Sequence, residues 1–331
     1  VEGAPHRFTI DATIRGIEPS LTPTDRDELV LTKAKKIKAI GLMSGTSGDG
    51  VDAALVATDG EEAIDFHGGL TLPYDDDLRS RLLEASQHNL PIEELLRTER
   101  QITLHHVEAV RQLQEKLRPE AEGVELIGFH GHTIRHMPDE GITCQIGNPW
   151  ILAEAIGIPV VSDFRRRDMA LGGHGAPLVS MFHRALFATQ DRPSVVLNIG
   201  GVANITWLGK RDEIIAGDTG PGCGLLDEWV KVMAGISHDK GGVLALRGKI
   251  NRDVVEESLN SDFFRRPLPK SADRFDFDHV DVSGLSVEDG AATLCAVTVE
   301  AVVMAVASMP AKPAVLWVTG GGGHHPLIMQ L

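Results

Sequence analysis

Cysteine is scarce in this 331-residue chain: Cys144, Cys223 and Cys295 are three, an odd number, and lie far apart. That spacing excludes a disulfide framework and a cysteine-rich zinc site, and it suits a reducing cytoplasm. No apolar run approaches the length of a membrane span, so no membrane-spanning helix is expected. The chain opens at Val1 with no charged-then-apolar leader behind it, so no secretory signal is expected. Positive charge is in deficit, with 32 Lys and Arg against 47 Asp and Glu and a formal net charge of −15. A surface of that sign repels nucleic-acid phosphates and anionic membranes, so neither is an expected partner. A phosphate-bearing ligand then has to be held locally, by backbone N–H groups and a metal ion.

What is present is the balance of a soluble globular protein, 42% hydrophobic and 24% charged residues, at a length that suits two domains or one large α/β domain. The 35 glycines gather at the ends of apolar runs rather than in repeats, which points to backbone turns approaching a ligand. Val1 to Lys36 is polar and unpatterned and reads as an N-terminal extension. From Ile37 the pattern is apolar run, small-residue turn (Ser44 to Gly50), apolar run (Val51 to Val56), as in two paired strands. Pro91 to Leu117 has apolar residues at spacings near three and four, predicting one long amphipathic helix or two. Strands are predicted at Glu125–His130, Ile142–Ile146 and Ile158–Val161, and a short helix at Trp150–Ile156. Near Pro193 the pattern restarts: Ser194–Ile199, the Gly200-Gly201 turn, then Val202–Leu208. Helices near Leu225–Met233 and Val287–Ser308 follow, and a strand at Ala314–Val318 runs into Gly320 to Gly323. The repeated glycine-turned hairpin predicts an internally duplicated fold, with a first lobe at 37–190 and a second at 191–331.

Six segments have the composition of a site. In Ser44-Gly45-Thr46-Ser47-Gly48-Asp49-Gly50-Val51-Asp52, backbone N–H groups can wrap phosphate oxygens and the hydroxyls add donors. Asp49 and Asp52 are candidates for holding Mg²⁺ through water. The alternative for this stretch is an ordinary hairpin turn, and it matches neither the P-loop nor the dinucleotide fingerprint. Asn198-Ile199-Gly200-Gly201-Val202-Ala203-Asn204 is a similar turn, and Gly320, Gly321, Gly322 and Gly323 would let a flat ring lie against the backbone. Asp218, in Gly217-Asp218-Thr219-Gly220-Pro221-Gly222, is placed to act as a general base, or to close its own loop as an Asx-turn. Arg165, Arg166 and Arg167, between Asp163 and Asp168, could clamp an acidic substituent or a phosphate, or pair among themselves as a solvated charge run. His130 and His132, alternating along a strand, would face one side; hydrogen bonding and metal ligation both remain open for them.

The order of these segments resembles that of actin-like sugar kinases. Within those, Gly41 to Asp52, Asp163 to Asp168 with Ala170 to Leu178, Asn198 to Asn204 and Asp218 to Gly222 are similar to the anhydro-N-acetylmuramic acid kinases, over roughly Ile37 to Leu331. The resemblance implies a two-lobed α/β fold, ribonuclease H-like and duplicated, with a cleft between the lobes. It implies a cytoplasmic enzyme that takes ATP, Mg²⁺ and an anhydro amino sugar, and it leaves room for a homodimer. The expected reaction opens the 1,6-anhydro bridge with water and transfers the γ-phosphate to O6, giving N-acetylmuramate 6-phosphate for cell-wall recycling. It makes Asp218 the base and puts ATP on Gly45 to Asp52, Gly200, Gly201 and Gly320 to Gly322. Sugar contacts are then expected from Ser44, His132, Arg165, Arg167, Asp168 and Asn198.

The chain departs from the family pattern at Gly48 (Leu or Met there), at His132 and His174 (Gln), at Arg135 (Trp), at Cys223 (Asn) and at Ala272-Asp273-Arg274 (Thr-Gly-Arg). It also stops eight residues after Gly323, where the family continues with a strand, a sugar-binding Glu and a returning helix, so truncation is expected. Three other readings follow from these features. One is a kinase for another 1,6-anhydro sugar such as levoglucosan, which the arginines disfavour; a second is a non-catalytic nucleotide-binding remnant. The third, from a different class, is a metal-dependent hydrolase using His130 and His132.

Overall fold

The structure is a computed structural model and describes residues 35–331, apart from Ser47, Asn89, Ala188, Thr189, Asp212 and Asp273. The N-terminal extension expected up to Lys36 therefore lies, through Ala34, outside the described residues. Lys36–Leu331 is one contiguous unit holding two sheets.

The first sheet begins as an antiparallel meander of β1 (Ile37–Ser44), β2 (Gly50–Thr58) and β3 (Ile64–Pro73). Ile40, Leu42 and Ser44 alternate inward along β1, the period-two pattern of a half-covered strand. Two helices cross the sheet, α1 (Asp76–Gln87) and α2 (Ile92–Lys116). The Asp75 side chain caps α1 by accepting from Leu78 N at 2.7 Å. The chain then returns as β4 (Leu126–Met137), parallel to β1. Strand β5 (Ile142–Ile146) pairs antiparallel with β4, and beyond helix α3 (Pro149–Ile156) β6 (Val160–Ser162) pairs parallel with the start of β4. Helices α4 (Phe164–Ala170) and α5 (Ser180–Leu186) lead to the second sheet.

There β7 (Ser194–Ile199), β8 (Val202–Leu208) and β9 (Ile214–Pro221) repeat the meander. Helices α6 (Gly224–Ala234), α7 (Arg252–Leu259), α8 (Asp262–Arg265) and α9 (Val287–Ala307) intervene before β10 (Val315–Thr319), which is parallel to β7, and α10 (Pro326–Gln330). The strand orders are β3-β2-β1-β4 and β9-β8-β7-β10, one topology built twice. The duplicated α/β architecture expected from the repeated hairpins is present as two separate cores. One gathers Ile40, Leu55, Ile102 and Phe129, the other Val195, Ile205, Leu226 and Leu294.

Two expectations need correction. Helix α9 is long and apolar enough to cross a membrane, with a mean hydropathy of 1.9 and 67% of that window buried. The reason lies in its surroundings: it packs against α6, α7 and β9 and is covered on most sides, so polar positions are few. The second concerns His130 and His132. Gly131 takes φ +72°, and the pairing of β4 with β1 slips between Leu42↔Phe129 and Ser44↔His132. That extra residue puts His132 on the face of Phe129 and Ser44, and leaves His130 on the other. A metal-binding H-x-H needs both rings on one side, so this reading fails.

Burial holds His106, His130 and His132 neutral, each with its pKa lowered to about 4. The unfolded chain takes up those protons below about pH 6.5, whereas the folded one waits until about 4. These histidines bind more protons in the unfolded state across that window, so their contribution to stability is lost as pH is lowered from about 6.5 to 4. The carboxylates Asp218 and Asp227, raised to about 6, offset part of that loss. Urea midpoints measured at steps across this range are expected to drop steadily, and less steeply for His106→Gln.

Candidate active site

The second sheet supplies a glycine-built corner. Because β7 and β10 run parallel, the turn after each strand emerges at the same edge. Gly320, at φ +84°, sits so close to the end of β7 that an added Cβ would lie 2.5 Å from Ile199 O and 2.6 Å from Asn198 Oδ1. The start of α6 closes the corner. Gly222 N and Gly224 N donate to Gly201 O at 2.9 and 3.1 Å, and Cys223 N donates to Gly200 O at 2.7 Å. Three of the segments singled out in the sequence, Asn198 to Gly201, Gly320 to Gly322 and the loop after Asp218, thus meet.

The first sheet supplies the turn between β1 and β2. Gly48 N donates to Gly45 O at 3.0 Å with φ +65° at Gly48, and Thr46 is exposed at its tip. Ser47 lies outside the described residues. Asp49 pairs with Arg79 Nη2 of α1 at 3.0 Å, and Asp52 accepts from Thr71 Oγ1 on β3. Val51 points into the core and is fully buried, so it seats the strand behind the turn. Asp227, in the first turn of α6, lies within electrostatic reach of Asp49, Arg79 and His238. Its pKa is raised to about 6, by burial first and by Asp49 among the charges. The turn between β1 and β2 and the start of α6 are therefore near enough for their charges to act on one another.

Behind the turn runs a buried hydrogen-bond chain. The Tyr74 hydroxyl donates to Ser44 Oγ at 2.9 Å, and Ser44 Oγ is 2.8 Å from His132 Nδ1. Burial raises the Tyr74 pKa to about 12, so its hydroxyl stays protonated. Ser44 and His132, both expected to touch the sugar, are each 1% exposed and anchor the root of the turn.

Asp218 lies on β9, opposite Asn204 of β8. Its Oδ2 accepts from Ala272 N at 2.8 Å, its own N–H donates to Lys270 O at 2.8 Å, and the Ser271 hydroxyl bonds to its carboxylate. Burial raises its pKa to about 6, against the lowering effects of Ala272, Ser271 and Arg165; Asp276 adds a second negative charge nearby. Arg165, on α4, lies within electrostatic reach of it. The guanidinium donates through Nε to His130 Nε2 at 3.0 Å and through Nη1 to Gly175 O at 2.6 Å. Its own pKa is lowered by burial and pulled back up by Asp218. His130 Nδ1 lies 3.0 Å from Gly131 O, so both ring nitrogens are engaged.

The other charged residues of that run have different employment. Arg166 pairs with Asp163 at 3.3 Å, and Arg167 is exposed. Asp168 Oδ2 accepts from Gly175 N at 2.7 Å and holds the loop that carries Gly175 to Arg165. Only one arginine of the three is turned to Asp218. Sequence reasoning missed Tyr74, Arg79, Asp227, Lys270 and Ser271, and singled out Ala272 only as a departure from the family pattern. The first five carry no motif of their own and matter through residues distant in sequence.

Phosphate oxygens are commonly bound by backbone N–H groups of glycine turns, and the two turns are exposed at Thr46 and Gly201. Among the described residues no group of three or more His, Cys, Asp or Glu could hold a metal ion. Arg79 and Thr71 each engage only Oδ1, of Asp49 and Asp52 respectively. That donor set suits a hydrated Mg²⁺ shared with phosphates, which uses one or two carboxylates.

The profile of the family described as anhydro-N-acetylmuramic acid kinase matches residues 37–331. An anhydro-N-acetylmuramic acid kinase of Rhizorhabdus wittichii is 48% identical over 303 residues, covering 89% of this chain and 83% of the relative. One of Gluconobacter oxydans is 48% identical over 307 residues, covering 88% and 83%. Among solved structures, a ROK family glucokinase from Streptomyces griseus in complex with glucose and AMPPNP aligns at 14% identity and a TM-score of 0.39, covering 88% of this chain and 86% of that one.

Proposed function

Because the chain belongs to the anhydro-N-acetylmuramic acid kinase family, we propose that it is an ATP-dependent kinase that opens 1,6-anhydro-N-acetylmuramic acid and phosphorylates it. Asp218 takes a proton from a water molecule as that water attacks the anomeric carbon. The bond from that carbon to O6 breaks, and O6, released as the leaving group, accepts the γ-phosphoryl group of ATP. ADP and the sugar 6-phosphate are the products. The observation that carries this reading is the environment of Asp218: a buried carboxylate, its pKa raised to about 6, held by Ala272 N and within electrostatic reach of Arg165 on α4. A base with a pKa of about 6 is largely ionised at pH 7 and still basic enough to take a proton.

The γ-phosphoryl step asks mainly for positioning and charge neutralisation. We assign the triphosphate to the turns Gly45–Asp49 and Gly200–Gly201 and the adenosine to Gly320–Gly322. Asp49 and Asp52 would hold Mg²⁺, which supplies charge neutralisation when bound. Arg165 faces the acidic lactyl group or the transferring phosphate, while Arg167, Asp168 and Asn198 line the sugar side, with Ser44 and His132 behind them. The lobes are taken as 37–190 and 191–331, closing over this site. Free thiols at Cys144, Cys223 and Cys295 and the need for ATP support a cytoplasmic location.

The test is phosphate transfer from ATP to 1,6-anhydro-N-acetylmuramic acid in H₂¹⁸O, with the product identified by mass. The expected result is a 6-phosphate bearing ¹⁸O at the anomeric carbon. Transfer to levoglucosan with a higher kcat/KM would reassign the sugar. Transfer without ¹⁸O at that carbon would sink the coupled mechanism.

A further inference from the structure

The base does not hold itself in place. The segment Leu268–Ala272 runs alongside β9 and brackets Asp218, taking its backbone N–H on Lys270 O and giving Ala272 N–H to its Oδ2, each at 2.8 Å. Contact is tight one residue earlier, where a Cβ on Gly217 would lie 2.5 Å from Leu268 Cδ2 and 2.7 Å from Lys270 O. The segment is irregular and belongs to neither sheet, so something else has to fix it.

The side chain of Lys270 turns inward and is 7% exposed. Its ammonium donates to Phe263 O at 2.8 Å and lies 4.4 Å from the centre of the Phe263 ring and 5.9 Å from that of Phe264. Phe263 meets Phe264 and Phe277 edge-on at 5.3 and 5.1 Å, and Phe277 is 1% exposed, so the socket is packed. Among the described residues the ammonium forms no ion pair. A buried lysine without one is costly, and an apolar chain of the same length would fill the space at less cost. The charge is thus retained at a place where packing alone does not ask for it.

We propose that Lys270 is a positioning residue for Asp218: its ammonium, plugged into the Phe263–Phe264 socket, pins the segment whose backbone orients the catalytic carboxylate. This rests on the reading of Asp218 as the base. Burial and Arg266 hold the Lys270 pKa down to about 8, and Asp218 opposes them, which places the carboxylate within electrostatic reach of the ammonium.

The ionised form of Asp218 is favoured by the Ala272 N–H. If the plug is lost, that donor loosens and the carboxylate titrates higher. The experiment compares wild type with Lys270→Met in the ¹⁸O kinase assay across pH 5 to 9, alongside Asp218→Asn at pH 7. For Lys270→Met, kcat is expected to fall roughly tenfold to a hundredfold, the cost of a misplaced catalytic group. KM for ATP should stay within about twofold, because uniform binding is untouched. The acid limb of kcat should move up by about half a pH unit or more. Should the methionine variant not fold, Lys270→Gln, which keeps a donor for Phe263 O, is expected to show the same displacement in smaller measure. An acid limb at its wild-type position in whichever variant folds overturns the proposal, since merely lowered stability leaves the limb in place. A near-normal rate for Asp218→Asn instead removes the base reading itself, and the positioning role goes with it.

Discussion

Asp218→Asn is expected to abolish sugar phosphorylation while leaving the fold and ATP binding intact. Asparagine is nearly isosteric, and its amide oxygen still accepts from Ala272 N and the Ser271 hydroxyl, so the segment beside β9 keeps its place. What disappears is the ability to take a proton. General-base assistance of this kind is worth about 10²–10⁴ in rate, and the variant should lose at least that from kcat. The wild-type pH profile carries the same prediction in another form. Burial raises the carboxylate to about 6, and the base works only when ionised, so kcat should rise with pH and level off above about 7. In the variant the residual rate should lack that limb. Stopped assays for product across pH 5 to 9, with ATP affinity measured by calorimetry, check both parts. A variant that keeps a limb near pH 6 would mean another group is the base, and Asp276, the second carboxylate nearby, would be the next to test.

Much of the fold was legible because its signal is local. Ile37–Ser44 alternates, β7 and β8 are bounded by Pro193 and two glycines, and α2 shows its buried stripe at helical spacing. The elements that escaped have weak local patterns for physical reasons. Strand β3 lies at an open edge with Phe66 exposed, so apolar and polar residues do not alternate by burial. Helices α4 and α5 are seven residues each, too short to display a period, and α4 is dominated by the Arg165–Arg167 charges. The bulge at Gly131 defeated the reading of His130 and His132, since a one-residue slip moves a side chain to the other face and leaves no trace in composition.

The site divides in the same way. Asp218 and the glycine turns were found because they sit in short motifs whose residue types allow few other uses. Arg79, Asp227 and Lys270 are ordinary residues in sequence and acquire a role only when α1, α6 and the segment after α8 are brought beside the candidate site residues. Of the three arginines, the sequence could not say which would turn inward. Gly175 and His130 select Arg165 by accepting its guanidinium, and Asp163 takes Arg166 away.

Two glycine substitutions should separate the framework of the nucleotide corner from its ligand contacts. At Gly222 an added Cβ would lie 2.1 Å from Gly200 O and 3.2 Å from Gly201 O. Neither side can yield: Gly222 N is bonded to Gly201 O at 2.9 Å, and its carbonyl accepts from Thr298 Oγ1 of α9 at 3.0 Å. Gly222→Ala therefore drives α6 away from the β7–β8 turn, at a cost of about 1–3 kcal/mol for overpacking. Because the turn and the helix start form the corner together, ATP affinity should fall with stability. Gly201 is the contrast. It is exposed, nothing lies within 4 Å of a Cβ built there, and its φ is not in the left-handed region. Gly201→Ala should leave the melting temperature unchanged yet weaken ATP binding, because a methyl group at the tip intrudes where the phosphates approach the backbone. Thermal melts and calorimetric titration of ATP on the two variants read the four quantities. Full ATP affinity in Gly201→Ala would remove this turn from the phosphate site and leave it with an architectural role alone.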